Sequence, residues 1–139
     1  MQEYIGLKRV LAEAEDNEAT GESGYAVVYQ DGYRSWSPVE AFEDAYRPVN
    51  GAGFDAALEG LKRGQRWTRA GWNGKGMFVF LVPGSHFTVN RPPLLGIYPE
   101  GTGIDYRSHI DMKTAQGDVV PWVASQSDVL ADDWWVFID

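Results

Sequence analysis

The chain contains no cysteine. Disulfides, thiolate zinc sites and a cysteine nucleophile are thereby excluded. Histidine is scarce: His86 and His109 are the two present, and neither stands in an H-E-x-x-H or other metal-ligand spacing. No metal site is expected. No apolar run approaches the roughly 18 residues of a membrane span, so no membrane partner is expected. The opening MQEYIGLKRV lacks the hydrophobic stretch and small-residue cleavage site of a signal peptide, which makes a cytoplasmic soluble protein the expectation. Positive charge is also short: 12 Lys and Arg stand against 20 Asp and Glu, for a net charge of −8. Affinity for DNA comes largely from neutralising phosphates, so a nucleic-acid partner is not expected either.

Familiar catalytic patterns are missing too. There is no G-x-S-x-G elbow and no G-x-x-x-x-G-K-[ST] phosphate loop; Gly74-Lys75-Gly76 comes nearest and fails in spacing and hydroxyl. Gly51 to Ala56 fits a relaxed G-x-G-x-x-A pattern before a helix. A dinucleotide fold needs a strand ahead of it, and Arg47-Pro48-Val49-Asn50 is a poor one. No cofactor is expected.

What is present is a core-forming chain of 139 residues, 44% hydrophobic and 14% aromatic. Charge divides it. Residues 1–50 hold 10 acids and 4 bases, and residues 51–139 hold 10 acids and 8 bases. The breaker cluster Pro48 to Gly53 suits a boundary. We therefore expect an acidic N-terminal extension over 1–50 and a second domain over 51–139.

The first part reads as β-β-α. Tyr4 to Ala12 and Gly24 to Gln30 suit strands, with an acidic loop from Glu13 to Glu22 between them. Ser37-Pro38-Val39-Glu40 carries a cap, an N1 proline and an N3 glutamate, which predicts a helix start.

In the second part Phe54, Ala57, Leu58 and Leu61 recur at one helix face, followed by Lys62, Arg63 and the C′ residue Gly64. Strands are predicted at Arg66–Arg69, at the apolar run Met77–Val82, at Ile110–Lys113, at Val119-Val120 and at Trp134–Ile138. Adjacent Trp134 and Trp135 then face opposite sides of the last strand. The proline-bearing stretch 83–108 reads as loop, and Ser127–Asp132 as a helical turn. The fold class is α+β: a small antiparallel sheet with one main helix, plus the β-β-α appendage.

One constellation carries chemistry. Lys62, Arg63, Arg66, Arg69 and Lys75 form a run without an acid, interleaved with Trp67, Trp72, Asn73 and glycines at 71, 74 and 76. Glycines let backbone N–H groups approach an anion. Arginine forks onto phosphate. Tryptophan stacks a base, and asparagine reads a base edge or ribose. The set suits a small phosphate-bearing nucleotide. A basic helix end, strand and turn with a core Trp72 would have the same sequence. Asp128, Asp132 and Asp133 could do acid–base work, but nothing nearby marks a nucleophile or a partner base.

Several blocks follow in order: Phe54-Asp-Ala-Ala-Leu58, Arg69-Ala-Gly-Trp72-Asn73-Gly-Lys-Gly76-Met77-Phe78, Val82-Pro-Gly84, Met112-Lys-Thr114, Val120-Pro-Trp122, Ala124-Ser-Gln126, Asp128-Val-Leu130-Ala and Asp133-Trp134. Over about residues 53–139 the sequence resembles the Thoeris anti-defence protein 2 family of phage and prophage proteins. The resemblance implies a sponge and no catalytic residue. Members bind cyclised ADP-ribose signals of Thoeris immunity without cleaving them, and some also bind cyclic oligonucleotides of other antiphage systems (CBASS) at a separate site. It further implies a homotetramer with pockets between subunits, acting in the cytoplasm of the infected bacterial host.

By the same resemblance, Trp72 stacks on or lines the adenine pocket, Asn73 bonds base or ribose, and Arg69 and Lys75 face phosphate. Ser125, Gln126 and Asp128 supply polar contacts to ribose or base edges. Two other readings stand beside this one. One is a hydrolase of such signals using Asp128 or Asp133. The other is a protein-interaction module acting through the acidic first part. The added first 50 residues and the insert near 86–108 depart from the family's compact pattern.

Overall fold

β-branched and aromatic residues in GYAVVYQ form the central strand of the N-terminal unit, while charged and small residues leave the neighbouring strands at its edges. A computed structural model describes residues 1–73 and 75–139. It divides the chain into two compact units, Met1–Arg47 and Pro48–Asp139.

In the first unit, β1 (Leu11–Ala14), β2 (Gly24–Val28) and β3 (Arg34–Pro38) form an antiparallel sheet in that order, followed by α1 (Val39–Ala45). The unit is β-β-β-α, which corrects the expected β-β-α. Arg34 to Pro38 pairs with β2 along its length, Trp36 opposite Ala26. Pro38 is tolerated because it closes an edge strand. Ser37 belongs to this strand and caps nothing; the residue preceding the helix is Pro38, with no side-chain cap bond.

The first strand forms at Leu11–Ala14 rather than Tyr4–Ala12, so it takes Glu13 out of the predicted loop. Its register is set by the turn that follows. The Asn17 side chain accepts the Ala19 and Thr20 N–H groups, and Gly21, at φ +72°, donates to the Asn17 carbonyl. Ala26 and Val27 are the buried side chains, while Tyr25 stacks on Phe42 at 4.3 Å and Phe42 on Tyr46 at 4.9 Å.

The second unit opens with α2 (Phe54–Lys62), which buries Ala57, Gly60 and Leu61. Gly64 ends it at φ +83°, as its place after Lys62 and Arg63 predicts. The strands that follow are β4 (Trp67–Arg69), β5 (Phe78–Val82), β6 (Ser85–Thr88), β7 (Gly103–Tyr106), β8 (His109–Lys113), β9 (Val119–Pro121) and β10 (Trp134–Val136). A 3₁₀ turn, Ala70–Trp72, follows β4, and a short α3 (Gln126–Val129) precedes β10.

The main antiparallel sheet runs β10-β4-β5-β8-β9, so the apolar run is its central strand. Trp67, Val79 and Met112 stand in register across it, and their face packs on α2 in a core with Ala57, Leu61 and Trp134. No helix among the described residues is long and apolar enough to cross a membrane.

The stretch expected as loop carries a hairpin arm. β6 and β7 pair from Ser85↔Tyr106 to Thr88↔Gly103, and Val89 extends the pairing through bonds with Gly101 and Thr102. Fourteen residues separate these strands, so no tight-turn signal marks the pair in sequence.

Gly60 lies where α2 meets Trp67: a Cβ there would fall 2.0 Å from the Trp67 indole nitrogen. Alanine normally gains about 1 kcal/mol over glycine inside a helix. Here Gly60→Ala is expected to cost a net 1–3 kcal/mol, roughly the penalty of overpacking a filled core. Urea unfolding of the full chain checks the sign.

Candidate ligand-binding site

The candidate residues come from two segments far apart in sequence, 69–75 and 122–128. Arg69 ends β4 opposite Trp134 of β10. The chain then turns through the 3₁₀ segment, which closes when the Asn73 N–H donates to the Ala70 carbonyl at 3.0 Å. Asn73 adopts the left-handed conformation, φ 60° and ψ 37°, which asparagine tolerates better than most residues. Its side chain is exposed, as is that of Lys75. Gly74, part of the glycine run, lies outside the described residues.

The turn points Trp72 partly inward. Its ring meets Trp134 edge-on at 5.3 Å and Trp122 at 6.3 Å. Phe54 completes the group, 5.5 Å from Trp134 and 6.2 Å from Trp122. Edge-to-face contacts of this kind add about 0.5–1.5 kcal/mol each beyond burial. Trp134 is fully buried, Trp72 is half-buried, and Trp135 turns the other way with 40% exposure.

On the second segment Ser125 caps α3. Its Oγ accepts the Asp128 N–H, and the Asp128 carboxylate accepts the Ser125 N–H and O–H, the latter at 2.7 Å. Asp128 is thereby buried at 9% exposure, whereas Gln126 is open to solvent. Trp134 Nε1 donates to the Asp128 carbonyl at 2.9 Å.

Arg69 ties the segments together. Its Nη1 donates to Asp128 Oδ1 at 2.7 Å and its Nε to Asp133 Oδ1 at 2.8 Å. Asp133 in turn accepts the Gly71 N–H at 2.8 Å. Burial works to raise the Asp128 carboxyl, yet the hydrogen bonds from Ser125 and Arg69 hold it below the ordinary carboxylate value. The Arg69 hydrogen bond, helped by the Gly71 N–H, holds Asp133 below that value against its own burial. The Asp133 and Asp128 bonds hold the Arg69 guanidinium above its ordinary value.

The structure thus joins Arg69, Trp72, Ser125 and Asp128 in one network and leaves Asn73, Lys75 and Gln126 exposed to solvent. Asp133, Trp122 and Phe54 are members that the sequence-based site did not include. Asp133 stands in the sequence as a candidate acid or hydrolase residue, since nothing there aims it at the Gly71 amide.

The basic run is also less free than it reads. Arg63 pairs with Glu59, Arg66 forks onto Asp139, and Arg69 holds Asp128 and Asp133. Lys62 and Lys75 are its two cations without such a carboxylate among the described residues.

Residues 52–137, more than half of the chain, match the model of the Thoeris anti-defense 2-like domain. The chain is similar to the protein named Thoeris anti-defense 2 from Bacillus phage SP01, with 41% identity over 81 residues, covering 58% of this chain and 89% of that protein. The matched span contains both segments of the network and the aromatic group beneath them, and on that footing the chain belongs to the Thoeris anti-defense 2-like family.

Proposed function

We propose that this protein is a phage anti-Thoeris sponge: it binds cyclised ADP-ribose immune signals in the cytoplasm of the infected host and holds them uncleaved. The observation that carries the reading is the meeting of two polar segments at one aromatic group, with Trp72 half-open and Asn73, Lys75 and Gln126 of the same segments exposed. An aromatic ring, an amide and a cation are what base, ribose and phosphate require. The site is also built in advance. Its backbone is fixed by a capping box and a bifurcated ion pair, which lowers the ordering cost of binding. A sponge depends on slow release, not turnover.

Asp128 and Asp133 are both engaged by Arg69 and held ionised, which disfavours either as a general acid near neutral pH. The assembly we propose is a homotetramer. Arg69, Ser125 and Asp128 hold the frame, and Trp72, Asn73, Lys75 and Gln126 meet the ligand.

The test is a thermal-shift panel of cyclic ADP-ribose isomers and cyclic di- and trinucleotides, followed by heat release and identification of the ligand. A shift of several degrees with intact ligand recovered is the expected result. Recovery of a cleaved product would make the protein a hydrolase. Absence of any shift would move attention to a protein partner for the acidic first unit.

Asn73→Gly separates contact from conformation. Glycine keeps the left-handed backbone at little steric cost. Stability is therefore expected to change by less than about 0.5 kcal/mol, while ligand affinity falls about tenfold, the loss of roughly one 1.4 kcal/mol hydrogen-bonding group. Unchanged affinity by calorimetry would remove Asn73 from the site.

A further inference from the structure

We propose that Arg69 is a positioning residue that couples the two ligand-bearing segments, so that the turn carrying Trp72 and Asn73 and the helix start carrying Gln126 order and loosen together. The proposal rests on the binding reading above for its ligand arm alone.

Three observations carry it. First, one guanidinium holds two carboxylates, Asp128 at 2.7 Å and Asp133 at 2.8 Å, from positions 59 and 64 residues away. Second, each carboxylate spends its remaining capacity on backbone of a different segment. Asp133 Oδ2 takes the Gly71 N–H at 2.8 Å, and Asp128 Oδ2 takes the Ser125 N–H at 3.2 Å. Third, the side chains are sheltered, at 16% exposure for Arg69 and 13% for Asp128, so solvent screens the pair weakly. The planar fork of arginine reaches two acceptors along fixed directions, whereas an ammonium is a point charge without them. A guanidinium committed in this way braces the site. The exposed Lys75 is the cation left to face ligand phosphate.

The experiment uses the full chain with Arg69→Lys and Asp133→Asn, and Arg63→Lys as a surface control. Amide exchange is followed by NMR at Gly71 and Asp128 without ligand, and dissociation of cyclic ADP-ribose is followed in parallel.

Arg69→Lys is expected to speed exchange at least fivefold at both amides while the amides of α2 and β5 stay protected, and to speed ligand release about tenfold. Asp133→Asn, which alters the bonds to Arg69 and to the Gly71 N–H and leaves the Ser125–Asp128 bonds in place, is expected to speed exchange at Asp128 as well. Arg63→Lys should leave both amides unchanged.

Faster exchange confined to Gly71 in Asp133→Asn would show the segments to be independent and overturn the proposal. So would Arg69→Lys losing ligand with neither amide altered, because that is the behaviour of a direct phosphate contact. If the wild-type protein binds no cyclised ADP-ribose, the functional reading fails, and the two exchange rates still decide the coupling.

Discussion

Trp134→Ala is expected to destabilise the second unit by about 3–5 kcal/mol, the range for truncating a large buried aromatic. Trp134 is fully buried and touches Phe54, Trp72 and Trp122 with its ring. Its backbone bonds Ala52 in both directions, and its indole N–H satisfies the Asp128 carbonyl. Truncation empties the centre of the aromatic group and strips that carbonyl of its 2.9 Å partner, leaving it the longer 3.4 Å bond from the Ala131 N–H. Domains of this size hold about 5–15 kcal/mol in all, so the variant should lie near its unfolding midpoint under mild denaturant. Near-UV circular dichroism against urea measures it. A loss under 1 kcal/mol would mean that the aromatic group is not the keystone of this unit.

Asp128→Ala is expected to cost about 2–4 kcal/mol, because it removes a cap bond and half of a sheltered ion-pair network at once. The loss is less than that of a wholly broken buried pair, since Arg69 keeps Asp133.

The same carboxylates set an acid limit. Asp128 and Asp133 titrate lower in the folded chain than ordinary carboxylates. A group whose folded value is depressed contributes stability that is whole above its unfolded value, about 3.9 for Asp. That contribution is lost as pH falls through the folded value. Wild-type stability should therefore hold steady from neutrality down to about pH 4 and fall below it. Asp128→Ala should show a shallower fall, because one of the two groups is gone. Parallel acid slopes in the two proteins would show that Asp128 is not ion-paired in solution.

Much of the framework was legible in the chain itself. The 3.6-residue spacing of Phe54, Ala57, Leu58 and Leu61 placed α2, and FVFLV placed the central strand, because local periodicity follows directly from which face is buried. Turn chemistry at Gly64 was equally local. The alternation of Trp134 and Trp135 across a strand, one buried and one part-exposed, needed no more than a period of two.

Other elements escaped that reasoning for a physical reason. β3 overlaps a strong helix-start signature at Ser37-Pro38, and pairing with β2 overrode it. The β6–β7 arm joins short strands across a long proline-bearing loop, so its pairing is non-local.

The sequence by itself determined the α+β class, the main helix and the central strand, and it marked the two stretches that carry the candidate polar and aromatic residues. The tertiary structure alone decided their ion-pair partners and their company. In sequence, Arg69 belongs to a cationic run with no acid nearby. In the fold, Asp128 and Asp133 arrive from 59 and 64 residues away and claim it, and Asp139 arrives from 73 away to claim Arg66. Charge patterning along a chain reports neighbours in one dimension. Ion pairing is settled at about 3 Å in three, by strand order, and here β10 lies beside β4.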